Sequence, residues 1–191
     1  MLRRVFLIRH CQSEANRDAR AEARGDSPLT PLGVDQARRR AKALADHDLA
    51  TAAVVASPQL RAAHTAGEIA RHHGWTLSHD QRLQEGDLGR LEGLSYQEVM
   101  EQVPPGAIWV SADVHGGESM ETVGGRMLEA LAEALDSTPG TLVVVSHGYA
   151  ISALLHSLGH DAGFLANGDM LELHLDEAAA VQRLERHPLT D

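Results

Sequence analysis

The chain has 191 residues, a net charge of −10 and a single cysteine, Cys11; 43% of its residues are hydrophobic and 23% are charged. These proportions are typical of a globular chain that folds without disulfide bonds, and one cysteine excludes an internal disulfide and a cysteine-based zinc site. The acidic excess argues against a nonspecific binder of nucleic acid or anionic membranes. Because no export signal and no apolar run near the roughly 18 residues of a membrane span is visible, we expect a cytoplasmic protein without nucleic-acid or membrane partners.

The N-terminal half of the chain alternates short apolar runs with segments of helical composition. A short apolar run between polar residues predicts a buried strand, and a threonine followed by proline predicts the start of a helix. In chain order, the pattern predicts a strand at Val5–Ile8, an N-cap at Thr30 with Pro31 in the first turn, a helix over Gln36–Asp46, a strand at Ala52–Ala56, and a helix from Ser57-Pro58 to about His72, stopped by Gly74.

The C-terminal half opens with a loop-rich stretch from His79 to Gly93, and Pro104-Pro105-Gly106 later breaks the chain. The predicted elements, in chain order, are a helix at Tyr96–Gln102, a long helix at Glu118–Leu135, a strand at Thr141–Val145, a helix after Ser146-His147-Gly148 through Leu158, a strand at Leu171–Leu175 with one wetter face, and an edge strand at Ala179–Leu184.

Strands that alternate with helices predict an α/β fold, a three-layer α/β/α sandwich with a mostly parallel, mixed central sheet. No internal repeat, low-complexity segment or convincing linker is visible, so residues 1–191 are interpreted as a single domain. In such sheets, ligands bind at the carboxyl ends of the strands.

Arginine and histidine side chains follow three of the predicted strands at that edge. The first strand is followed by Arg9 and His10, the second by a helix with Arg61 in its first turn, and the strongest by His147, while Glu85 lies in a loop. Paired arginines bind phosphoryl oxygens, a neutral imidazole can attack phosphorus, and a protonated carboxylic acid can donate to the leaving oxygen. These residue types favour phosphoryl transfer.

A series of short motifs in the correct order resembles the histidine phosphatase superfamily, also called phosphoglycerate-mutase-like. The matching segments are Arg9–Asn16, Asp26–Ala37, Ser57–Ala66, Leu83–Gly93, Gly117–Ser119 and Val145–Gly148. Each motif alone is weak evidence for the family, but their correct order is strong evidence. The resemblance extends from Val5 to about Leu158. It implies a phosphoglycerate-mutase-like fold and hydrolysis of small phosphate monoesters through a phosphohistidine, without a metal ion or other cofactor.

The resemblance also implies a role for each matching residue. His10 would be the nucleophile, and His147 would stabilise the transferring group. Glu85 would protonate the leaving group and then activate water, with Asp87 of the same loop as the alternative. The residues implied in binding the substrate are Arg9, Arg61, Ser13, Asn16 and Gly148, of which Ser13 and Asn16 have a second interpretation as helix caps.

Two positions depart from the family's motifs. Cys11 replaces a glycine and is a poor occupant if that position needs a positive φ. Glu22-Ala23 stands where many members carry Gln-Gly, and a carboxylate there would repel dianionic substrates unless it points away. These departures leave the substrate open.

Two rival hypotheses remain. The order His10-Cys11, five residues and Arg17 matches a cysteine-phosphatase loop, but that loop favours glycines and positive potential, whereas this one contains Glu14 and no glycine. A module that binds phosphorylated ligands without catalysis is the other hypothesis, although all the core positions are occupied.

Within the family, the choice lies between a phosphatase and a cofactor-dependent phosphoglycerate mutase. The chain is short, and His79–Gly117 is the only plausible source of a lid, so we predict a phosphatase with the mutase as the alternative. Tyr96 and Trp109 are candidate substrate contacts. The remaining histidines are expected at the surface, no metal-ligand spacing is found, and the oligomeric state stays open.

Overall fold

The computed structural model describes residues 3–47, 49, 52–102, 115–161 and 163–189. The strands are β1 (Arg3–Arg9), β2 (Ala52–Ala56), β3 (Thr76–His79), β4 (Thr141–Ser146), β5 (Met170–Leu175) and β6 (Val181–His187). The α-helices are α1 (Glu14–Arg17), α2 (Pro31–Leu44), α3 (Leu60–His73), α4 (Tyr96–Gln102), α5 (Met120–Ser137) and α6 (Gly148–Ser157). Short 3-10 helices cover Ala45–His47, Gln81–Leu83 and Gly89–Leu91.

The strands form a mixed sheet in the order β3-β2-β4-β1-β5-β6. Strands β1, β2, β3 and β4 run parallel to their neighbours in that group, whereas β5 is antiparallel to β1 and β6 is antiparallel to β5. The carboxyl ends of β1, β2 and β4 therefore meet at one edge, as the sequence predicts.

Side-chain alternation along β1 divides the core into two layers. Val5 and Leu7 belong to a cluster with buried residues of α5 and α6, whereas Phe6 and Ile8 belong to a cluster with buried residues of α2 and α3. All four side chains are at most 1% exposed. Helices thus cover both faces of the sheet, and the expected three-layer α/β/α sandwich is confirmed.

Most predicted elements are present, with shifted ends. Thr30 caps α2 by accepting a hydrogen bond from the Gly33 N–H, and Pro31 is its first residue, so the helix begins five residues before Gln36. Helix α3 starts at Leu60 rather than at Ser57, and it ends at His73, followed by Gly74 as its C-cap with a left-handed φ of 70°. The other helix and strand ends lie within three residues of the prediction, and α4 matches it.

One strand was missed, and one expectation about another strand is wrong. The edge strand β3 was not predicted, because its four residues are polar or exposed except Leu77. The face of β5 expected to be wet is largely buried, with Glu172 only 5% exposed, since Arg4 and three histidines surround its carboxylate. Pro104-Pro105-Gly106 and Trp109 lie outside the described residues. Within the described ranges, no helix is long and apolar enough to cross a membrane.

Candidate active site

The predicted site residues meet where β1, β2 and β4 end. Arg9 pairs with Ser146 across the β1–β4 ladder, and the next residue, His10, donates its backbone N–H to the Ser146 carbonyl at 2.9 Å. A cavity of about 500 Å³ opens at this point. Its lining includes the predicted residues Arg9, His10, Ser13, Asn16, Arg61, Glu85 and Gly148. The remaining predicted residue, His147, has its ring 5.1 Å from the ring of His10.

The His10 side chain is held in one tautomer. Its Nδ1 lies 2.8 Å from the Cys11 carbonyl oxygen, which can only accept, so Nδ1 carries the proton and Nε2 keeps its lone pair. The side chain is 3% exposed. Burial, together with the charges of Arg61 and Arg9, holds the pKa of His10 well below its usual 6.5. The imidazole is therefore neutral at pH 7 and can act as a nucleophile.

The His147 side chain contacts Ser57 through Nε2 and leaves Nδ1 without a partner. Its Nε2 lies 2.8 Å from the Ser57 hydroxyl, which also accepts from the Gln59 N–H at 3.3 Å and can either donate to Nε2 or accept from it. Nδ1 is a buried atom without a hydrogen-bond partner in the described part of the chain, and it carries the proton when the Ser57 hydroxyl donates to Nε2. Burial and the nearby Arg61 hold the pKa of His147 well below 6.5, so a neutral N–H donor is available.

Two arginines bring positive charge to the cavity. Arg9 donates through one terminal nitrogen to the Leu165 carbonyl, while its buried Nε has no hydrogen-bond partner among the described residues. Gly148 lies against this guanidinium, since a Cβ there would be 3.3 Å from Nε. Arg61 is 2% exposed, and it donates to the Gly25 carbonyl at 2.8 Å. Backbone carbonyls thus hold both guanidinium groups in place at the cavity.

The carboxylate of Glu22, which departs from the family's motif, does not point away from the cavity. Its carboxylate lines the wall and accepts from Arg61 at 3.0 Å and from the Ser27 hydroxyl at 2.5 Å. The negative charge therefore compensates part of the positive charge of Arg61, an arrangement that the sequence did not predict.

The loop residue Glu85 places its carboxylate against the first turn of α6. One carboxylate oxygen accepts from the Ala150 N–H at 3.0 Å, and the other lies 3.3 Å from the Tyr149 N–H. Gln59 holds the loop in place by accepting from the Glu85 N–H at 3.0 Å. Burial raises the pKa of Glu85 above its usual 4.5, although the N–H groups of Gly86 and Ala150 and the two arginines oppose the change. Asp87, the alternative, instead pairs with Arg24 and is absent from the lining of this cavity.

Ser13 and Asn16 form a reciprocal helix cap at α1. The Ser13 hydroxyl accepts from the backbone N–H of Asn16 at 3.3 Å. In return, the side-chain oxygen of Asn16 accepts from the backbone N–H of Ser13 at 3.1 Å. The Asn16 amide group also lies 3.4 Å from the Tyr96 hydroxyl. Both Asn16 and Tyr96 line the cavity, so capping and a position at the site are compatible.

Sequence reasoning missed two residues that hold the site together. Asn167 donates to the His10 carbonyl at 3.1 Å and to the Asn16 side-chain oxygen at 2.9 Å. Gln59 connects Glu85 to the Ala23 carbonyl. The one signal for Asn167 is the adjacent Gly168, which has a φ of 79° and marks a tight turn before β5.

Cys11 lies behind the site rather than in it. Its side chain is fully buried in an apolar cluster with Leu29 and Ala37, and burial raises the pKa of the thiol to about 12. Among the described non-glycine residues, only Ala19 and Ala179 have a positive φ, so cysteine fits this position without backbone strain. The thiol is protonated at pH 7, which contradicts the cysteine-phosphatase hypothesis.

The remaining histidines are not all at the surface, contrary to expectation. His64 and His72 are exposed, but His73 stacks on Trp75 with ring centroids 4.0 Å apart. Partly buried histidines also surround Glu172, because residues of β5, β6 and the 3-10 helix before β2 meet there.

Comparisons with known proteins show what this chain is similar to. A sequence profile described as histidine phosphatase superfamily (branch 1) matches residues 5–188. A Hydrogenobacter thermophilus protein, provisionally named phosphoserine phosphatase 2, is 31% identical over 95% of this chain and 89% of its own. A Cronobacter sakazakii protein, provisionally named phosphoglycerate mutase GpmB, is 34% identical over 81% of this chain and 74% of its own.

A solved structure of mycobacterial glucosyl-3-phosphoglycerate phosphatase with VO3 superimposes with a TM-score of 0.85, at 27% identity over 98% of this chain and 100% of its own. The phosphatase names among these relatives support a phosphoric monoester hydrolase. Since the profile covers nearly the whole chain, the protein belongs to the histidine phosphatase superfamily.

Proposed function

We propose that the protein hydrolyses small phosphate monoesters through a phosphohistidine formed on His10. The observation that carries this proposal is the 2.8 Å contact between His10 Nδ1 and the Cys11 carbonyl oxygen, which keeps the lone pair on Nε2. A buried, neutral imidazole with that tautomer is a competent nucleophile towards phosphorus. The names of the relatives, which include phosphoserine and glucosyl-3-phosphoglycerate phosphatases, support a small phosphorylated substrate.

The phosphoryl group would be held by donors that have no other partner. Arg9 Nε and His147 Nδ1 are buried polar atoms without hydrogen-bond partners among the described residues, which is costly unless a ligand accepts from them. Both atoms belong to residues beside His10. Together with Arg61, they supply charge and hydrogen bonds to the oxygens on which negative charge develops in the transition state.

In the first step, His10 Nε2 forms a bond to phosphorus while the bond from phosphorus to the ester oxygen breaks. Glu85, whose pKa is raised by burial, donates its proton to that oxygen, and the alcohol leaves. In the second step, Glu85 accepts a proton from water, the water oxygen bonds to phosphorus, and the nitrogen–phosphorus bond breaks. Inorganic phosphate leaves, and both residues return to their starting states.

Ser13, Asn16 and Gly148 have supporting parts in this proposal. Gly148 leaves room for the guanidinium of Arg9, because any side chain would begin 3.3 Å from its Nε. Asn16 presents its side-chain amide at the cavity wall near Tyr96, where it can donate to a phosphate or to the leaving group. Ser13 positions Asn16 through the helix cap.

The test is to trap the phosphoenzyme. After mixing with a phosphate ester labelled on phosphorus and quenching in alkali, which preserves phosphohistidine, we expect label on the peptide that contains His10. His10→Ala removes both the label and the release of phosphate, whereas Cys11→Ser retains both. Turnover without a trapped histidine, or label on Cys11, contradicts the proposed mechanism.

A second assay separates hydrolysis from transfer. The protein is preincubated with 2,3-bisphosphoglycerate and then given 3-phosphoglycerate. Net release of phosphate supports the phosphatase, whereas robust formation of 2-phosphoglycerate without release of phosphate supports the mutase alternative. The Cronobacter sakazakii relative is named as such a mutase.

A further inference from the structure

We propose that His47, Glu172 and His187 form a binding site for one transition-metal cation of the Zn²⁺ class, separate from the phosphate cavity. These residues come from three elements: the 3-10 helix Ala45–His47, β5 and the end of β6. Their ligand atoms, His47 Nδ1, a Glu172 carboxylate oxygen and His187 Nε2, all lie within 4.8 Å of one another.

The distances suit a tetrahedral ion. His47 Nδ1 lies 3.4 Å and His187 Nε2 lies 3.1 Å from the same oxygen, Glu172 Oε2. Ligands about 2.0–2.1 Å from a tetrahedral Zn²⁺ are roughly 3.3 Å from each other. The two imidazole rings are 4.8 Å apart between centroids, at 83°. The two nitrogens lie within 4.8 Å of each other, so an ion that binds between them and Oε2 would bring the two rings closer together.

The surroundings of Glu172 orient that oxygen. The other oxygen, Oε1, accepts from Arg4 Nε at 3.0 Å and from His174 Nε2 at 3.0 Å, so it is occupied. A terminal nitrogen of Arg4 also lies 2.8 Å from Oε1, so the carboxylate is held by an ion pair on the side away from the two ligating histidines. Groups that hold a ligating carboxylate in this way are typical of metal sites.

The ligand types decide which cation fits. Two imidazoles and a carboxylate suit Zn²⁺, Co²⁺, Ni²⁺ or Cu²⁺ rather than Mg²⁺ or Ca²⁺, which require mainly oxygen ligands. With three protein ligands, water would supply the fourth.

The site lies to one side of the catalytic residues, on the two strands β5 and β6 at one edge of the sheet. Glu172 is opposite Phe6 in the β1–β5 ladder, three residues before Arg9, a separation of about 10 Å along a strand. A cation here would tie the C-terminal strand β6 to β5 and to the segment that follows α2. We therefore expect it to stabilise the fold rather than to take part in phosphoryl transfer.

The experiment titrates the metal-free full-length protein with Zn²⁺ by calorimetry and measures Tm with and without the ion. We expect one equivalent to bind and Tm to rise. His47→Asn and His187→Asn should each weaken binding at least tenfold and remove the metal-dependent rise in Tm. The contacts from Arg4 and Arg40 are to the backbone carbonyls of His47 and His187, so both variants retain them.

The matched control is His72→Asn, which alters an exposed histidine of the adjacent pair His72-His73 and should bind Zn²⁺ like the original protein. The absence of saturable binding to the unaltered protein overturns the proposal, whatever the variants do. So does binding that survives both substitutions, because the histidines would then be only hydrogen-bond donors to Glu172. Loss of binding in His72→Asn would point to a surface site instead.

Discussion

Glu22 and Arg61 form an ion pair 3.0 Å long on the wall of the cavity that contains His10. In the proposed mechanism Arg61 binds the phosphoryl group, so the Glu22 carboxylate has two opposing effects. It repels an approaching dianion, and it helps to orient the guanidinium that binds this dianion.

Replacing Glu22 with glutamine separates these effects, because glutamine keeps a hydrogen-bond acceptor and loses the charge. Removing a nearby negative charge is worth about 1 kcal/mol at a partly screened site, so we expect Glu22→Gln to lower KM for dianionic esters about fivefold. Glu22→Ala should instead lower kcat, since Arg61 loses its partner. Steady-state kinetics at low and high salt measure KM and kcat of both variants. The control is Glu129→Gln, which removes a negative charge from an exposed residue. An unchanged KM in Glu22→Gln would show that the substrate does not approach this carboxylate.

The pKa directions of His10 and Glu85 predict a bell-shaped dependence of kcat/KM on pH. His10 must be neutral, so activity falls on the acid side as pH drops through a pKa held well below 6.5. Glu85 must be protonated to donate, so activity falls on the alkaline side as pH rises through a pKa raised above 4.5.

Glu85→Gln should abolish the alkaline limb and lower kcat/KM by about 10²–10⁴-fold for alkyl phosphates. The loss should be much smaller for p-nitrophenyl phosphate, whose leaving group needs no proton. Comparing Glu85→Gln with the unaltered protein on the same substrate removes the effect of substrate ionisation from the difference between their pH profiles. Equal losses on the two substrates would mean that Glu85 does not protonate the leaving group.

Cys11 is predicted to be dispensable for catalysis. Because its thiol is buried in an apolar cluster and protonated, Cys11→Ala should keep kcat within about twofold and cost about 1 kcal/mol of stability. Phosphatase assays and denaturant unfolding measure the two quantities, and His10→Ala is the inactive reference. Loss of activity in Cys11→Ala with activity retained in His10→Ala would reverse the assignment of the nucleophile.

A pair of helical glycines tests whether the contact of α2 with the loop after β1 matters. A Cβ on Gly33 would lie 2.1 Å from the Gln12 carbonyl oxygen, whereas a Cβ on Gly67 in α3 meets no atom within 4 Å. Gly67→Ala should therefore stabilise the protein by about 0.5–1 kcal/mol through helix propensity. Gly33→Ala should destabilise it by about 2–3 kcal/mol and lower kcat, because the loop carries His10. Thermal unfolding measures the change in stability of each variant. Stabilisation by Gly33→Ala would show that the loop can move away from the new Cβ without cost.

Local patterns were sufficient for much of the fold. The apolar runs at Val5–Ile8, Ala52–Ala56 and Thr141–Val145 have the composition of buried parallel strands, and each is part of one. The polar strand β3 carries no such pattern, because an edge strand has little to bury, so it could not be predicted. Glu172 was assigned to a wet face for a related reason: alternation along β5 cannot reveal that Arg4 and three histidines cover it.

By itself, the sequence determined the order of the layers and which residue types stand at the ends of β1, β2 and β4. It did so because hydrophobic periodicity and the residues that follow each strand are local properties. Only the tertiary structure decided that Glu22 faces Arg61, that His147 contacts Ser57, and that His47 and His187 meet at Glu172. These contacts join residues far apart in the chain, and loop packing and strand register, which no local pattern encodes, bring them together. The single cysteine and the net charge of −10 excluded whole classes of protein, but the charges that matter for binding were decided by position.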